Sequence, residues 1–229
     1  MTELQNPFEL EELAAAYDHW YETPLGAFAE HQELGALRQL LQGVSRQHPI
    51  VEVGAGTGRV AAWLAREMGF PVIAVEPSAA MRRHGERRTA GLPVSWVSAH
   101  ATMLPFADAS HAGVLFFATL EFIAEPRRAV REALRILQPG GILLLGCLHA
   151  QSPWAALYCW LGRRGELPWS HARFYTPEEL EELVGAPAEG RTEALFCAPA
   201  AQEPFEEADA AGRRAGNAPA FVVLRWRKP

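Results

Sequence analysis

The sequence predicts an α/β fold, and three observations carry that prediction. The apolar run Ile50-Val51-Glu52-Val53 leads into Gly54-Ala55-Gly56-Thr57-Gly58 and then into an amphipathic stretch over 60–68. That order reads as a buried strand, a turn and a helix start. The run Pro71-Val72-Ile73-Ala74-Val75-Glu76 repeats the pattern, with a second helix start, Pro77-Ser78, directly behind it. Further short apolar runs at 94–97, 113–118 and 142–148 are separated by stretches with helical spacing, the alternation that defines the class.

Taken in order, residues 1–48 read as helical. Leu10, Leu13, Tyr17 and Trp20 or Tyr21 share one helix face, and Leu34, Leu37, Leu40 and Leu41 form a second stripe that ends near Gly43 and before His48-Pro49. Ser78 is the N-cap of the helix after the second strand. The arginines at its far end (Arg82, Arg83, Arg87, Arg88) read as a solvated face whose charge suits a helix C-terminus. The third strand is 94–97 and the fourth 113–118. Pro126 opens a helix whose Val130, Ala133, Leu134 and Leu137 make a core stripe. Gln138-Pro139-Gly140-Gly141 then turns the chain into the fifth strand. Thr176-Pro177-Glu178-Glu179 is a capping box with proline at the first helical position, starting a helix through 184. Two final strands are expected at 191–196 and 221–226, with a mobile loop over 198–219 between them.

The turn at Gly54 can be read more closely. Glycine allows positive φ and puts no Cβ between the backbone and a ligand, so such turns are where α/β proteins hold nucleotide-like cofactors. Glu52 lies inside an apolar strand, where an unpaired carboxylate is costly; it belongs near the strand's carboxyl end, within reach of a cation or donor. A dinucleotide fingerprint G-x-G-x-x-G starting at Gly54 would need glycine at 59, and that residue is Arg59. The next strand ends in Glu76, the usual place for a ribose-binding carboxylate.

With Val51-Glu52-Val53-Gly54-Ala55-Gly56-Thr57-Gly58 and Glu76, the chain resembles the class I S-adenosylmethionine-dependent methyltransferases, type-11 group, over about residues 17–176. The family's Leu-x-Pro-Gly-Gly turn is matched by Leu137-Gln138-Pro139-Gly140-Gly141. The resemblance implies a three-layer α/β sandwich with a mostly parallel, seven-stranded Rossmann-like sheet, an antiparallel last strand and an edge hairpin. It implies one methyltransferase domain over 1–229, with a helical lid at 1–48 and a substrate-side insertion at 149–176. The implied cofactor is S-adenosyl-L-methionine. Glu52 would face the ammonium of its methionine moiety, Gly54 and Gly56 would lie against it, and Glu76 would hold the ribose hydroxyls. Pro77, Met81, Ala101, Thr102 and Phe117 complete the implied contacts, and Tyr17, in a Tyr-Asp-x-Trp element, would close over the cofactor.

Two departures from the family stand out. His100 occupies the place of an acid that accepts from the adenine amino group. A neutral imidazole can accept one hydrogen bond and an imidazolium cannot, so cofactor binding is expected to weaken as the pH falls through the histidine range. His111-Ala112 replaces a usual Phe-Asp, a change that reads as structural. On the acceptor side, Trp20 and Tyr21 cannot both join the core face of their helix. The 149–176 segment interleaves Trp154, Tyr158, Trp169 and Tyr175 with His171 and Arg173. It reads as an aromatic wall over the cofactor edge, or as a mini-helix at 153–161 capping the core. Trp20, Tyr21, Trp154, Tyr158, Trp169 and Arg173 are the substrate-side candidates. Glu121, just past the fourth strand, His149 and His171 are the candidate bases, Glu121 reading equally well as a surface loop acid.

Composition bounds the function. The 229 residues are 49% apolar and 21% charged, with a formal net charge of −6 and a single lysine, Lys228. The acidic balance argues against an extended nucleic-acid surface, and a lysine confined to the C-terminal tail argues against Schiff-base and Walker-type chemistry. Cys147, Cys159 and Cys197 form no C-x-x-C pair and read as reduced thiols of a cytoplasmic protein. No apolar run is long enough to span a bilayer, and the histidines show no metal-ligand spacing. The expected activity is methyl transfer to a small aromatic or lipophilic acceptor by a monomer or homodimer. The alternatives are a nicotinamide-dependent oxidoreductase and a non-catalytic S-adenosylmethionine-binding protein.

Overall fold

The structure, a computed structural model, describes residues 6–229. The N-terminal part holds α1 (Glu11–Ala16), α2 (His19–Glu22) and α3 (Pro24–Leu40). The α/β core follows as β1 (Ile50–Val53), α4 (Arg59–Arg66), β2 (Val72–Val75), α5 (Ala79–Arg88), β3 (Val94–Val97), β4 (His111–Phe117), α6 (Pro126–Ile136) and β5 (Leu137–Leu148). The chain ends with α7 (Pro153–Arg163), α8 (Pro177–Val184), β6 (Gly190–Ala194), α9 (Phe205–Arg214) and β7 (Phe221–Arg227).

The described residues form one seven-stranded sheet in the order β3-β2-β1-β4-β5-β7-β6. The first five of these strands are parallel, while β7 runs antiparallel between β5 and β6. The expected fold and its edge hairpin are therefore present. Side chains along the central strands alternate between two cores, as the period of two requires. Val114, Phe116, Leu143 and Leu145 pack beneath α6 and α8, while Leu115, Leu144, Phe221 and Val223 pack beneath α3, α4 and α7. Among the described residues no helix is long and apolar enough to cross a membrane.

Three elements differ from expectation. The first predicted helix is broken at Tyr17-Asp18, where the Asp18 carboxylate is drawn to Arg88 and Thr57. The fifth strand starts at Leu137, so Pro139-Gly140-Gly141 lies within it; Gly140 donates to the Lys228 carbonyl, and Lys228 donates back to that of Gly141. The loop over 198–219 contains α9. Asp209 anchors it by accepting from the backbone of Phe196 and Cys197, and Phe205 packs on Phe28 with ring centroids 5.6 Å apart.

Candidate functional site

The carboxyl ends of β1, β2 and β4 and the loop after β3 open onto a cavity of about 750 Å³. The turn after β1 forms one wall. Gly54 and Ala55 both donate to the Val75 carbonyl, at 2.8 and 3.0 Å, which fixes the turn against β2. Gly54 has φ +77, and a Cβ there would fall 2.1 Å from Thr119 Cγ2, so only glycine fits. Glu76 ties the turn down from the other side: Oε2 accepts from the Gly56 amide and Oε1 from the Ser78 amide, both at 2.9 Å. Burial raises the Glu76 pKa, and these two amides oppose the rise.

Glu52 lies beneath this turn, 2% exposed, and its Oε2 has no hydrogen-bond partner among the described residues. Burial, and then the charge of Glu76, pushes its carboxyl up to about 8. Tyr17, Gly54, Gly56, Glu76, Pro77, Met81, His100, Ala101 and Thr102 all line the cavity. Phe117 does not: its ring packs on Phe221 at 4.8 Å in the core. Its neighbours Ala118 and Thr119 face the cavity instead, because the chain leaves the strand at Ala118, which has φ +49.

An ion-pair network ties the N-terminal helices to the glycine turn. Arg88 donates through Nη2 to Asp18 Oδ2 at 2.7 Å and through Nη1 to the Thr57 carbonyl at 2.7 Å. Thr57 Oγ1 donates to Asp18 Oδ1 at 2.8 Å. Arg59 makes a two-pronged contact with Glu30 and lies 4.4 Å from the Tyr21 ring centroid. The arginines of α5 are thus not simply a solvated face: Arg82 also caps the Glu76 and Pro77 carbonyls, at 2.7 and 2.8 Å.

The aromatic candidates pack against one another. Tyr158 stacks on Trp169 at 3.7 Å, with the planes 10° apart. Trp20 meets Trp154 edge-on at 5.7 Å, and Tyr17 lies 5.9 Å from Tyr21. Trp154 serves the core as well: it is 3% exposed and its indole donates to the Cys197 carbonyl at 2.8 Å.

Trp20, Tyr21, Trp154, Tyr158, Trp169 and Glu121 are not among the residues that line the cavity, and neither are Arg173 and His149. Arg173 is exposed, sits over the Tyr175 ring at 5.1 Å and reaches Glu179, because its backbone follows the outer side of the strand end. His149 is buried and accepts from the Gln151 amide through Nδ1. Its charged neighbours are Arg191, Glu178 and Glu193, and burial lowers its pKa; nothing directs it to the cavity. His171 does line the cavity.

Glu121 is not a surface acid. It is 1% exposed, Oε1 accepts from the Leu148 amide at 2.7 Å, and Oε2 has no partner among the described residues. Burial pushes it up to about 7. A second acid, Glu33 on α3, escaped the sequence reading. It is half-buried, and desolvation, then the charges of Glu30 and Glu121, raise its carboxyl pKa. The signal was present: Glu33 precedes the fully buried Leu37 and Leu41 by one and two helical turns. Phe8 and Phe122, also in the lining, carried no comparable signal.

Residues 51–145 match the family described as "Methyltransferase domain". An uncharacterized protein of Mycobacterium tuberculosis is 37% identical over 171 residues, 75% of this chain and 56% of that one. The chain therefore spans little more than half the length of that relative. A demethylmenaquinone methyltransferase of Clavibacter sepedonicus is 41% identical over 97 residues, 42% of this chain and 39% of the relative. Among solved structures, a SAM-dependent methyltransferase, possible histamine N-methyltransferase, from Thermotoga maritima superposes with a TM-score of 0.75 at 27% identity. That match covers 96% of this chain and 98% of that one. Residues 51–145 thus carry a methyltransferase domain, and the fold around them is similar to that of a SAM-dependent methyltransferase.

Proposed function

We propose that this chain is a class I methyltransferase that moves a methyl group from S-adenosylmethionine to a small aromatic or lipophilic molecule bound between the N-terminal helices and the 149–176 segment. One observation carries the reading. A single cavity is lined both by the glycine turn with Glu76 and by Phe8, Tyr17, Phe122 and His171, so donor and acceptor groups could share it.

The residues fit the cofactor. The unpartnered Oε2 of Glu52 suits an ammonium, Glu76 suits a ribose diol, and Met81 and Ala99 offer apolar contact to a base beside His100. When bound, S-adenosylmethionine supplies a methyl group already activated on sulfur. The protein's part is then to orient an acceptor and exclude water. The 1–48 helices act as a lid clipped to the turn through Asp18 and Arg59, and the 149–176 segment forms the facing wall, within one domain. His171, the one candidate base that lines the cavity, is the general base of this reading.

The names of the relatives, a demethylmenaquinone methyltransferase and a possible histamine N-methyltransferase, are consistent with small acceptors. The test is a thermal-shift comparison of S-adenosylhomocysteine with NAD, followed by methyl transfer from labelled S-adenosylmethionine to a panel of small acceptors. Stabilisation by S-adenosylhomocysteine with transfer to a panel member is expected. Stabilisation by NAD alone would overturn the reading, and tight cofactor binding without any transfer would favour a non-catalytic binding protein.

A further inference from the structure

Residues 6–10 cross the cavity as a strap. Pro7–Glu9 form one 3-10 turn behind the Asn6 cap, and Asn6, Phe8 and Glu9 line the cavity together with the glycine turn and Glu76. The strap touches both rims. On one side the Phe8 carbonyl accepts from Ser78 Oγ at 2.7 Å; on the other the Phe8 ring meets Phe122, just past β4, edge-on at 5.0 Å. Its remaining packing is a small cluster of its own, Ala14, Ala80 and Met81 with Phe8 and Tyr17, outside the two main cores.

Among the described residues, the Ser78 bond is the one hydrogen bond that joins residues 6–9 to anything beyond Leu10. The others stay inside the strap: the Phe8 amide donates to Asn6 Oδ1, and the Glu9 and Leu10 amides donate to the Asn6 and Pro7 carbonyls. Ser78 itself is fully buried and holds three partners. Its amide donates to Glu76 Oε1, its hydroxyl oxygen accepts from the Met81 amide as the cap of α5, and its hydroxyl proton goes to Phe8. Glu76, Met81 and Phe8 all line the cavity, whereas Ser78 does not. A helix cap needs only the acceptor; the donated proton is left over, and its recipient is the strap. A segment closed by one directional bond and a few ring contacts opens at lower cost than the packed cores beneath it.

We propose that Ser78 is a positioning residue that latches residues 6–10 over the cofactor, which enters and leaves by release of this latch. This rests on the methyltransferase reading and concerns the exchange of its cofactor. A latch made in both the free and the bound protein slows entry and exit alike, so it shows in rates more than in affinity. A residue that only capped α5 or shaped Glu76 would show in affinity, through exit alone.

The test is made on the full chain with three variants. Ser78→Gly removes the hydroxyl at little cost to the cap, Ser78→Thr retains it, and Phe8→Ala keeps latch and cap but takes the ring from Phe122. Entry and exit of tritiated S-adenosylhomocysteine are followed by rapid filtration with an unlabelled chase, and affinity by calorimetry. Ser78→Gly should speed both entry and exit about fivefold, the factor that one ordinary hydrogen bond supplies, with affinity within about twofold of wild type. Phe8→Ala should also speed both, and Ser78→Thr should stay near the wild-type rates. Hydrogen exchange reads the latch without cofactor: the Glu9 and Leu10 amides should exchange faster in Ser78→Gly than in wild type. Unchanged rates in Ser78→Gly or Phe8→Ala overturn the proposal, as does a Ser78→Thr protein as fast as Ser78→Gly. Faster exit with unchanged entry also overturns it and assigns Ser78 to Glu76 and the cap. If the wild-type protein binds no S-adenosylhomocysteine, the methyltransferase reading itself fails, whereas the hydrogen-exchange comparison still decides whether Ser78 holds the strap.

Discussion

At the glycine turn the contacts are made by backbone: Gly54, Ala55 and Gly56 spend their amides on Val75 and Glu76 within a few ångströms of one another. Across the cleft the contacts are made by side chains from distant parts of the chain, with Phe8 against Phe122 and Trp20 against Trp154. A surface built of backbone tolerates little change, because each position must keep its φ and its approach distance. A surface built of rings can lose one member and keep the rest, since each pair contributes separately. Substitutions on the two sides should therefore differ in size and in what they affect.

The largest effect is expected at Gly54. Alanine there would adopt a left-handed conformation costing about 1–2 kcal/mol, and its Cβ would overlap Thr119 Cγ2. Gly54→Ala should lower S-adenosylhomocysteine affinity about 100-fold by calorimetry, with a lower melting temperature. Adding Thr119→Ser, which removes the overlapping carbon, should restore part of the stability. An affinity within threefold of wild type would mean that the turn does not need its close fit.

A second, smaller effect concerns pH. In the ligand-free protein burial holds Glu52 at about 8 and Glu121 at about 7, both above the unfolded value near 4.3. The native state then holds more protons than the unfolded chain over that window. The stabilising contribution of these acids is fully present below about pH 4.3 and is lost as the pH rises towards 8. Between pH 5.5 and 8.5 these groups should lower the melting temperature of the ligand-free protein. If Glu52 meets the cofactor ammonium as a carboxylate, binding at pH 7 releases a proton and affinity rises towards pH 8, by up to about tenfold per unit. Calorimetry in two buffers of different ionisation enthalpy detects the proton. Glu52→Gln should abolish its release, whereas a pH dependence that survives Glu52→Gln but not His100→Ala would assign it to His100.

These two predictions fall on residues that the sequence already singled out, and the reason is physical. A strand, a tight turn and an acid one strand later are local signals, because Gly54, Gly56 and Glu76 each owe their type to backbone geometry or to a strand end. The fold was legible on the same grounds, since strand and helix periods are written in neighbouring residues. The acceptor wall was legible only as composition. Tyr158 and Trp169 were identifiable as aromatics, but their stack depends on how α7 and the segment after it fold back, and Trp154 turned out to be committed to the Cys197 carbonyl. Glu33 was hidden because a helix acid is usually solvated, and only its spacing to Leu37 and Leu41 marked it as inward-facing. Phe117 was misplaced because β4 ends there and the backbone turns at Ala118, and Arg173 because it lies in the segment between helices, where periodicity assigns no side.

On the ring side, Trp169→Ala removes the partner of Tyr158 and a neighbour of Phe122. Acceptor KM should rise about tenfold, from a stack worth about 0.5–1.5 kcal/mol together with lost apolar area. S-adenosylhomocysteine affinity should stay within about twofold. Equal losses on both sides would mean that the two halves of the cleft are coupled rather than independent.

The smallest effect is expected where the two halves are joined. Asp18 pairs with Arg88 and accepts from Thr57 while its side chain keeps 17% of its exposure, so the contact is partly screened. Asp18→Asn keeps the shape and removes the charge, leaving Arg88 with the Thr57 carbonyl and hydroxyl. The cost should be about 1 kcal/mol, seen as a modest fall in melting temperature that shrinks at high salt. The informative readout is proteolysis of residues 6–22 with and without S-adenosylhomocysteine. If the Asp18–Arg88 pair holds the N-terminal helices against the glycine turn, the variant should be cut faster than wild type in the ligand-free state, and cofactor should restore much of the protection through Tyr17 and the turn. Unchanged cutting in both states would mean that ring contacts such as Phe8–Tyr17 and Trp20–Trp154 hold these helices, and that the ion pairs orient the turn without restraining them.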